Sequence, residues 1–415
     1  MAIVGMGALS TRARLVRTLT TATAWLAYLG VAAHGYGVGL RALRRPWTLD
    51  GYTVSDLHVY LGALNALHRT GTLYDYATYG LPFTYPPFAG IVLAPLRLAP
   101  VGALDLLWPV LVLATAAATA VMMAPRLAPL ASRWWPERDR WRTPVLPLTL
   151  AFVTGSQIIM ANLLFGQISS LIAVLALADA ARIVPPRYRG LLIGLAAAVK
   201  LTPLIFVPYL WLTGQRRAAG VALGTFAGAT GLGWLLMPGD SVRYWFTELW
   251  RIGRVGDPSR LTNVSAQGLL TRSGLPDRYL WPALVVVITV VGLWRAVRAD
   301  RYGMPLLGAA IAGTVSLCVC PISWDHHALW LVVAAVGAVS LPGMWRYVWL
   351  GVVGLVTCVL TSYTVTGHAW VVPAVHTALA DSLGVLAVAI ACLVPLRWPP
   401  RLWIPVPRLR GLTSG

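Results

Sequence analysis

ALDLLWPVLVLATAAATAVMM, residues 103–123, runs directly into APRLAPLASRWWPERDRWR, residues 124–142. The first stretch is long enough to cross a bilayer core, for which about 20 apolar residues suffice. The second collects Arg126, Arg133, Arg138, Arg140 and Arg142, and short arginine-rich loops are retained on the cytoplasmic side. The run shows no in/out alternation, which excludes a membrane β-strand. A helix satisfies its own backbone in lipid, so a crossing helix followed by an inner loop is the reading.

The same grammar extends in both directions. Towards the N-terminus, residues 88–98 are apolar but short and read as half-inserted. Before them lies a polar, aromatic loop, 41–87, with a helix expected over 56–69 and Ser55 as its N-cap. A first span at 19–40 follows Arg12, Arg14 and Arg17 and reads as a retained span rather than a cleaved leader. Towards the C-terminus, spans are expected at 143–160 and 167–183. A hairpin is expected over 190–214, broken at Lys200-Leu201-Thr202-Pro203 because proline removes a backbone donor and disfavours helix before it. Further spans are expected at 219–237, 279–297, 304–320, 328–343, 347–365 and 382–396, with a second long polar loop at 239–278. The basic loops then hold both termini and the 397–415 tail in the cytoplasm. Both long loops, the Gln167 corner and the Trp324-Asp325-His326-His327 corner fall on the outer face. The expected architecture is one all-α polytopic membrane domain over 1–415. It would hold about 10–13 membrane helices, some re-entrant or broken, and two long extracytoplasmic loops.

Composition agrees. Of 415 residues 58% are hydrophobic and 11% charged, against about 25% charged in soluble domains. The formal charge of +19 comes from arginines that collect in short loops between apolar runs, so it marks topology and not a nucleic-acid partner. Cys318, Cys320, Cys358 and Cys392 all lie in apolar runs with no histidine at metal-ligand spacing, and read as small buried residues. No internal repeat is evident, which counts against transporters built from duplicated halves.

Few residues in such a chain can carry chemistry. Asp50, Asp56 and Asp75 lie in the first outer loop. Asp50 and Asp75 read as solvated or capping residues. Asp56 opens a helix beside a membrane surface, where the helix dipole favours its ionised form. It suits either N-capping or accepting a proton from an attacking hydroxyl. Lys200, the only lysine, sits inside an apolar run; such residues are costly and mark function. It suits either a lipid-borne phosphate or a structural ion pair. His326 and His327 are adjacent, so one metal shared between them is not expected; they suit a polar turn or donors to phosphate or sugar. Asn162 and Gln167 sit in a polar break and suit a turn or hydrogen bonds to sugar hydroxyls. The second loop carries Arg243, Arg251, Arg254, Arg260, Arg272 and Arg278 with Trp245 and Trp250. That mixture suits interfacial anchoring, or anionic headgroups and sugar faces.

Several motifs taken in order resemble a known family. These are Asp-Leu-His-Val-Tyr at 56–60, Leu-Tyr-Asp-Tyr at 73–76, Pro-Phe-Thr-Tyr-Pro-Pro at 82–87, Asn162 to Gln167, Ala-Val-Lys-Leu-Thr-Pro at 198–203 and Asn-Val-Ser-Ala-Gln-Gly-Leu-Leu at 263–270. Together, over about 50–330, they resemble the GT-C glycosyltransferases. More narrowly they resemble the actinobacterial polyprenol-phosphate-mannose-dependent α-(1→2)-mannosyltransferases, and among these the members that act on phosphatidylinositol mannosides. The resemblance implies a β-mannosyl phosphoryl polyprenol donor and a glycolipid acceptor in the plasma membrane. It implies inversion, with Asp56 as the single base and Lys200, His326 and His327 facing the donor phosphate. His58, Tyr60, Tyr85, Asn162 and Gln167 are expected around the sugar and acceptor. No cofactor, metal or nucleotide-sugar site is expected. Lipomannan or lipoarabinomannan as acceptor, and a lipid or solute transporter, are the alternatives.

Overall fold

The computed structural model describes residues 2–44, 48–49, 52–53, 55–78, 81–132, 134–135, 143–275, 277–360 and 373–393. Asp50, the cluster Arg133, Arg138, Arg140 and Arg142, and the 397–415 tail lie outside them. Among the described residues the chain is helical, with only two short hairpins, β1 (Thr48–Leu49) with β2 (Tyr52–Thr53) and β3 (Ala77–Thr78) with β4 (Leu81–Pro82).

α1 (Ala2–Arg44) runs through the expected first span and well before it. α2 (Asp56–Thr70) starts behind Ser55 and ends at Gly71, whose φ of 78° supplies the left-handed C-cap. The Ser55 hydroxyl makes no capping bond and is buried without a partner. The short apolar segment is α3 (Pro87–Leu93) continued by a 3₁₀ turn to Leu98. α4 (Val101–Ala131) crosses next and packs against α1 and against α5 (Val145–Gly155).

The expected 143–160 span is instead two helices, α5 and α6 (Gln157–Phe165), bent by 52° at Ser156. Ser156 caps α6, its Oγ accepting from Ile159 N–H at 3.4 Å. Asn162 therefore lies inside α6 and not in a turn between spans. After α7 (Ser169–Ala180) comes α8 (Leu191–Val199), which stops at Lys200. Lys200 is extended (φ −150°, ψ 122°), a 3₁₀ turn carries Pro203, and α9 (Phe206–Leu212) completes the broken hairpin.

α10 (Arg216–Leu236) lies against α8. Their close approach depends on small residues. A Cβ at Gly190 (φ 97°) would stand 2.1 Å from the Ala218 carbonyl, and one at Gly194 2.5 Å from that of Ala222. The second loop folds into α11 (Pro238–Phe246), two 3₁₀ turns and α12 (Ala266–Arg272). α13 (Asp277–Arg301) then pairs with α14 (Pro305–Val319), whose residues from Leu306 to Cys318 are all buried. α15 (Leu329–Val333), α16 (Trp345–Cys358) and α17 (Pro373–Cys392) close the bundle. All four cysteines are free.

Among the described residues, three helices are long and apolar enough to cross a membrane: α4, α10 and α13; the bent α5–α6 pair makes a fourth. The first expected span, 19–40, lies in α1, which is long but not apolar enough to count among them; the remaining expected crossings consist of shorter apolar helices, several joined end to end through 3₁₀ turns.

The two long loops meet. Buried Asp240 in α11 accepts from Thr72 Oγ1 (2.5 Å) and Leu73 N–H (2.9 Å), and the Tyr74 and Tyr244 rings stack at 5.8 Å. The second-loop arginines do not all face outward. Arg243 pairs with Asp75 and with buried Glu248 (2.8 Å), Arg254 pairs with Glu248 (3.1 Å), and Arg272 pairs with Asp381 (2.6 Å). A carboxylate taken out of water is stable only with such partners, so these arginines join loop to loop and loop to bundle.

Candidate active site

Five separate segments supply one polar cluster: the start of α2, Tyr85, the α6–α7 corner at Gln167 with Ser169, the Lys200 break, and the 3₁₀ turn Asp325–His327 that faces it. The corner turns on Gly166. Its φ is 62°, and an added Cβ would stand 2.9 Å from Leu57 Cβ and 2.9 Å from the Leu43 side chain. Glycine alone meets both demands, and α2 therefore docks directly on the corner.

Gln167 is the hub. Its Oε1 accepts from Tyr60 (3.2 Å), Tyr85 (3.4 Å) and Ser169 (3.1 Å). Its side chain also hydrogen-bonds to Asp56; with Oε1 occupied, the amide nitrogen is the end that donates to the carboxylate. The Tyr60 and Tyr85 hydroxyls are 3.0 Å apart. Asp56 and Tyr60 stand one helical turn apart and share a face.

The Asp56 carboxyl is pushed above the ordinary carboxylate range by burial; His326, the Gln167 bond and Lys200 act in the opposite sense. This corrects the expectation from the helix dipole alone, because desolvation outweighs it. The group is a stronger base than a solvated aspartate. Burial and the nearby Asp56 charge raise the Tyr85 phenol, which keeps it a hydroxyl donor.

Lys200 Nζ lies 3.1 Å from Ser169 Oγ, 2.7 Å from His327 Nε2 and 5.3 Å from the centre of the Tyr85 ring. The Trp324 N–H donates to His327 Nδ1 at 3.2 Å. Nζ and Nε2 are thus in direct hydrogen-bond contact, the donor of that bond following the ring tautomer. With one N–H group towards Ser169 and one towards His327, the ammonium has a third for an anionic oxygen. A cleft leads away from this point, its polar end formed by Lys200, Ser169, Thr202 and Ser323 and its apolar wall by Phe206 and Trp330.

His326 is buried beside His327, ring centres 4.4 Å apart, and neither ring nitrogen has a hydrogen-bond partner. Its position is set from behind by Asn162, which is fully buried. Asn162 Nδ2 donates to the His326 carbonyl (2.8 Å) and the Ile158 carbonyl (2.8 Å), and its Oδ1 accepts from Ser170 N–H (3.1 Å). The amide is thus occupied within the protein. His58, two residues beyond Asp56, projects from another side of α2, and its buried Nδ1 is unpaired.

Sequence reading missed Ser169, the hydroxyl between Gln167 and Lys200; its only signal is its place two residues after Gln167. It also gave Asn263 no structural role. Buried Asn263 accepts from Ser265 N–H and Ser323 N–H and donates to the Pro258 and Pro321 carbonyls, tying the second loop to the histidine turn. Both ends of its amide are engaged. Among the described residues no group of three or more His, Cys, Asp or Glu is arranged to hold a metal ion.

Comparison with known proteins bears on this cluster. The model of glycosyltransferase family 87 matches residues 83–321. A polyprenol-phosphate-mannose-dependent alpha-(1-2)-phosphatidylinositol pentamannoside mannosyltransferase of Mycobacterium tuberculosis (strain CDC 1551 / Oshkosh) is 34% identical, over 73% of this chain and 71% of its own. A polyprenol-phosphate-mannose-dependent alpha-(1-2)-phosphatidylinositol mannoside mannosyltransferase of Mycobacterium tuberculosis (strain ATCC 25618 / H37Rv) is 32% identical, over 77% of this chain and 78% of its own. A pentamannoside enzyme of Mycolicibacterium smegmatis is 33% identical, over 70% of this chain and 71% of its own. No solved structure matches the chain.

Proposed function

The chain belongs to glycosyltransferase family 87, and from that premise we propose that it moves mannose from polyprenyl phosphate mannose to the 2-hydroxyl of a mannose on a phosphatidylinositol mannoside. The product linkage is α-(1→2). The relatives' names supply donor, linkage and acceptor class. The observation that carries the reading is the meeting of a partly buried carboxylate, Asp56, with the Lys200–His327 pair beside one amide, Gln167.

In the proposed reaction Asp56 accepts the proton of the acceptor hydroxyl as its oxygen attacks C1 of mannose. The C1–O bond to phosphate breaks with its electron pair, and the polyprenyl phosphate leaves. From a β-linked donor, a single displacement yields the α product. The leaving group is already an anion, so it calls for cations and hydrogen-bond donors and not for an acid. Lys200, His327 and Ser169 suit that task by type and position, and His326 lies next to them. Gln167, Tyr60 and Tyr85 orient the base and present hydroxyls to a sugar. Asn162 acts as a positioning residue for His326. The donor brings its own leaving group, so the reaction as written needs no resident cofactor. We place the cluster on the extracytoplasmic side of the plasma membrane with both termini in the cytoplasm, on the strength of the arginine-rich loops.

The test is direct. Purified protein in lipid nanodiscs receives radiolabelled mannosyl phosphoryl polyprenol and a phosphatidylinositol mannoside. The reading expects a product with one more mannose, α-linked by its anomeric carbon–proton coupling. A β-linked product, or no transfer by well-folded protein, would refute it.

A further inference from the structure

A second cavity opens beside the β3–β4 hairpin, lined by Ala77, Pro82, Arg251, Gly253 and Arg254, and measures about 480 Å³. Small-molecule sites span about 300–1,000 Å³, so it is large enough for a headgroup. It is joined to the cluster by a short chain of contacts. Arg254 Nη2 donates to the Phe83 carbonyl at 2.6 Å, the Phe83 ring stands edge-on to Tyr85 at 5.8 Å, and the Tyr85 hydroxyl reaches Gln167.

Its lining is basic: among the described residues Arg251 and Arg254 line it and no carboxylate does. Behind it buried Glu248 lies among three arginines, Arg243 at 2.8 Å, Arg254 at 3.1 Å and Arg251 at 3.6 Å. Glu248 Oε2, the oxygen nearest Arg254 and Arg251, makes no hydrogen bond to either. Arg251, with 63% of its side chain exposed, is the one of the three that a ligand reaches first, with Arg254 behind it.

Building on the mannosyltransferase reading above, we propose that this cavity takes the phosphodiester of the acceptor glycolipid. On that reading the donor phosphate has its own pair, Lys200 and His327, with Lys200 5.3 Å from the centre of the Tyr85 ring. An acceptor whose terminal sugar meets Asp56 must extend its charged lipid end away from that pair. The Phe83 side of Tyr85 leads to guanidinium groups, which match a phosphodiester in charge and fork geometry. Arg251 thus sets which acceptors are used, without touching the reacting atoms.

The experiment measures transfer by full-length protein in zwitterionic nanodiscs to two acceptors carrying the same mannoside, one on phosphatidylinositol and one on a neutral alkyl glycoside. Arg251→Gln is expected to raise KM for the anionic acceptor about tenfold, to leave its kcat and the neutral acceptor's KM unchanged, and Arg251→Lys to restore most of the loss. Equal shifts for both acceptors, or none for the anionic one, overturn the proposal. So does a shift seen only when anionic bulk phospholipid is added, since the arginine would then read the membrane surface. If wild-type protein mannosylates neither acceptor, the transferase reading falls and this inference with it; retained transfer to the neutral acceptor keeps the two failures distinct.

Discussion

Lys200→Met removes the ammonium while keeping the length and apolar stem of the side chain. Lys200 Nζ is held between Ser169 Oγ at 3.1 Å and His327 Nε2 at 2.7 Å, under the Tyr85 ring, so a phosphate oxygen arriving there meets a donor already in place. A hydrogen bond to a charged group is worth about 1.5–3 kcal/mol net. Each 1.4 kcal/mol is about tenfold, so donor Kd is expected to rise about 10- to 150-fold. A second readout follows from the same charge. Lys200 is one of the groups that lower the Asp56 pKa against the upward push of burial. Without it the folded-state pKa climbs further, Asp56 becomes neutral at a higher pH, and the acidic limb of the kcat profile moves to higher pH. The assay is equilibrium binding of tritiated donor to purified protein, with kcat profiles for wild type, Lys200→Met and the charge-preserving Lys200→Arg. Donor affinity within twofold of wild type, together with an unmoved acidic limb, would show that the ammonium meets neither phosphate nor base.

Three other substitutions examine the frame around the cluster. Gly190→Ala combines a left-handed backbone, costing about 1–2 kcal/mol, with a Cβ 2.1 Å from the Ala218 carbonyl; a large fall in Tm is expected, and an unchanged Tm would discredit the α8–α10 contact. Asn162→Ala leaves the buried Ser170 N–H without its acceptor, at about 1–3 kcal/mol. Thermal stability should drop while donor Kd moves less than threefold; a selective loss of sugar binding at full stability would argue for direct contact. Gln167→Leu strips the acceptor from Tyr60, Tyr85 and Ser169 and the donor from Asp56; kcat should fall about 10- to 100-fold, within the range of general-base effects, and wild-type kcat would count against a hub at this position.

What could be read from sequence divides by physical cause. Local rules succeeded. Ser55 before Asp56 marked the start of α2, although its hydroxyl makes no capping bond, and Pro203 marked the break at Lys200, because proline acts within a few residues. The bend at Ser156 was not read: Thr154-Gly155-Ser156-Gln157 interrupts an otherwise apolar stretch whose length suits a single crossing, and the capping bond that starts α6 afresh is a feature of the fold. Asn162 looked like a turn residue for the same reason. The arginines of the second loop looked like lipid anchors because their partners, Asp75 and Glu248, are fixed by tertiary folding and not by spacing. Ser169 and Asn263 belong with these, since a hydroxyl or amide becomes informative only when its partners are in view. The Asp56 pKa was misjudged in direction, because the helix dipole is visible in sequence and burial is not.

The account rests on Asp56 as the proton acceptor in the transfer step. The most direct test is single-turnover transfer by Asp56→Asn, with donor Kd measured on the same preparation. A base acting in the transition state predicts a rate lower by about 10²–10⁴ and a donor Kd within threefold of wild type. A rate within tenfold of wild type, or equal losses in rate and donor binding, would contradict it.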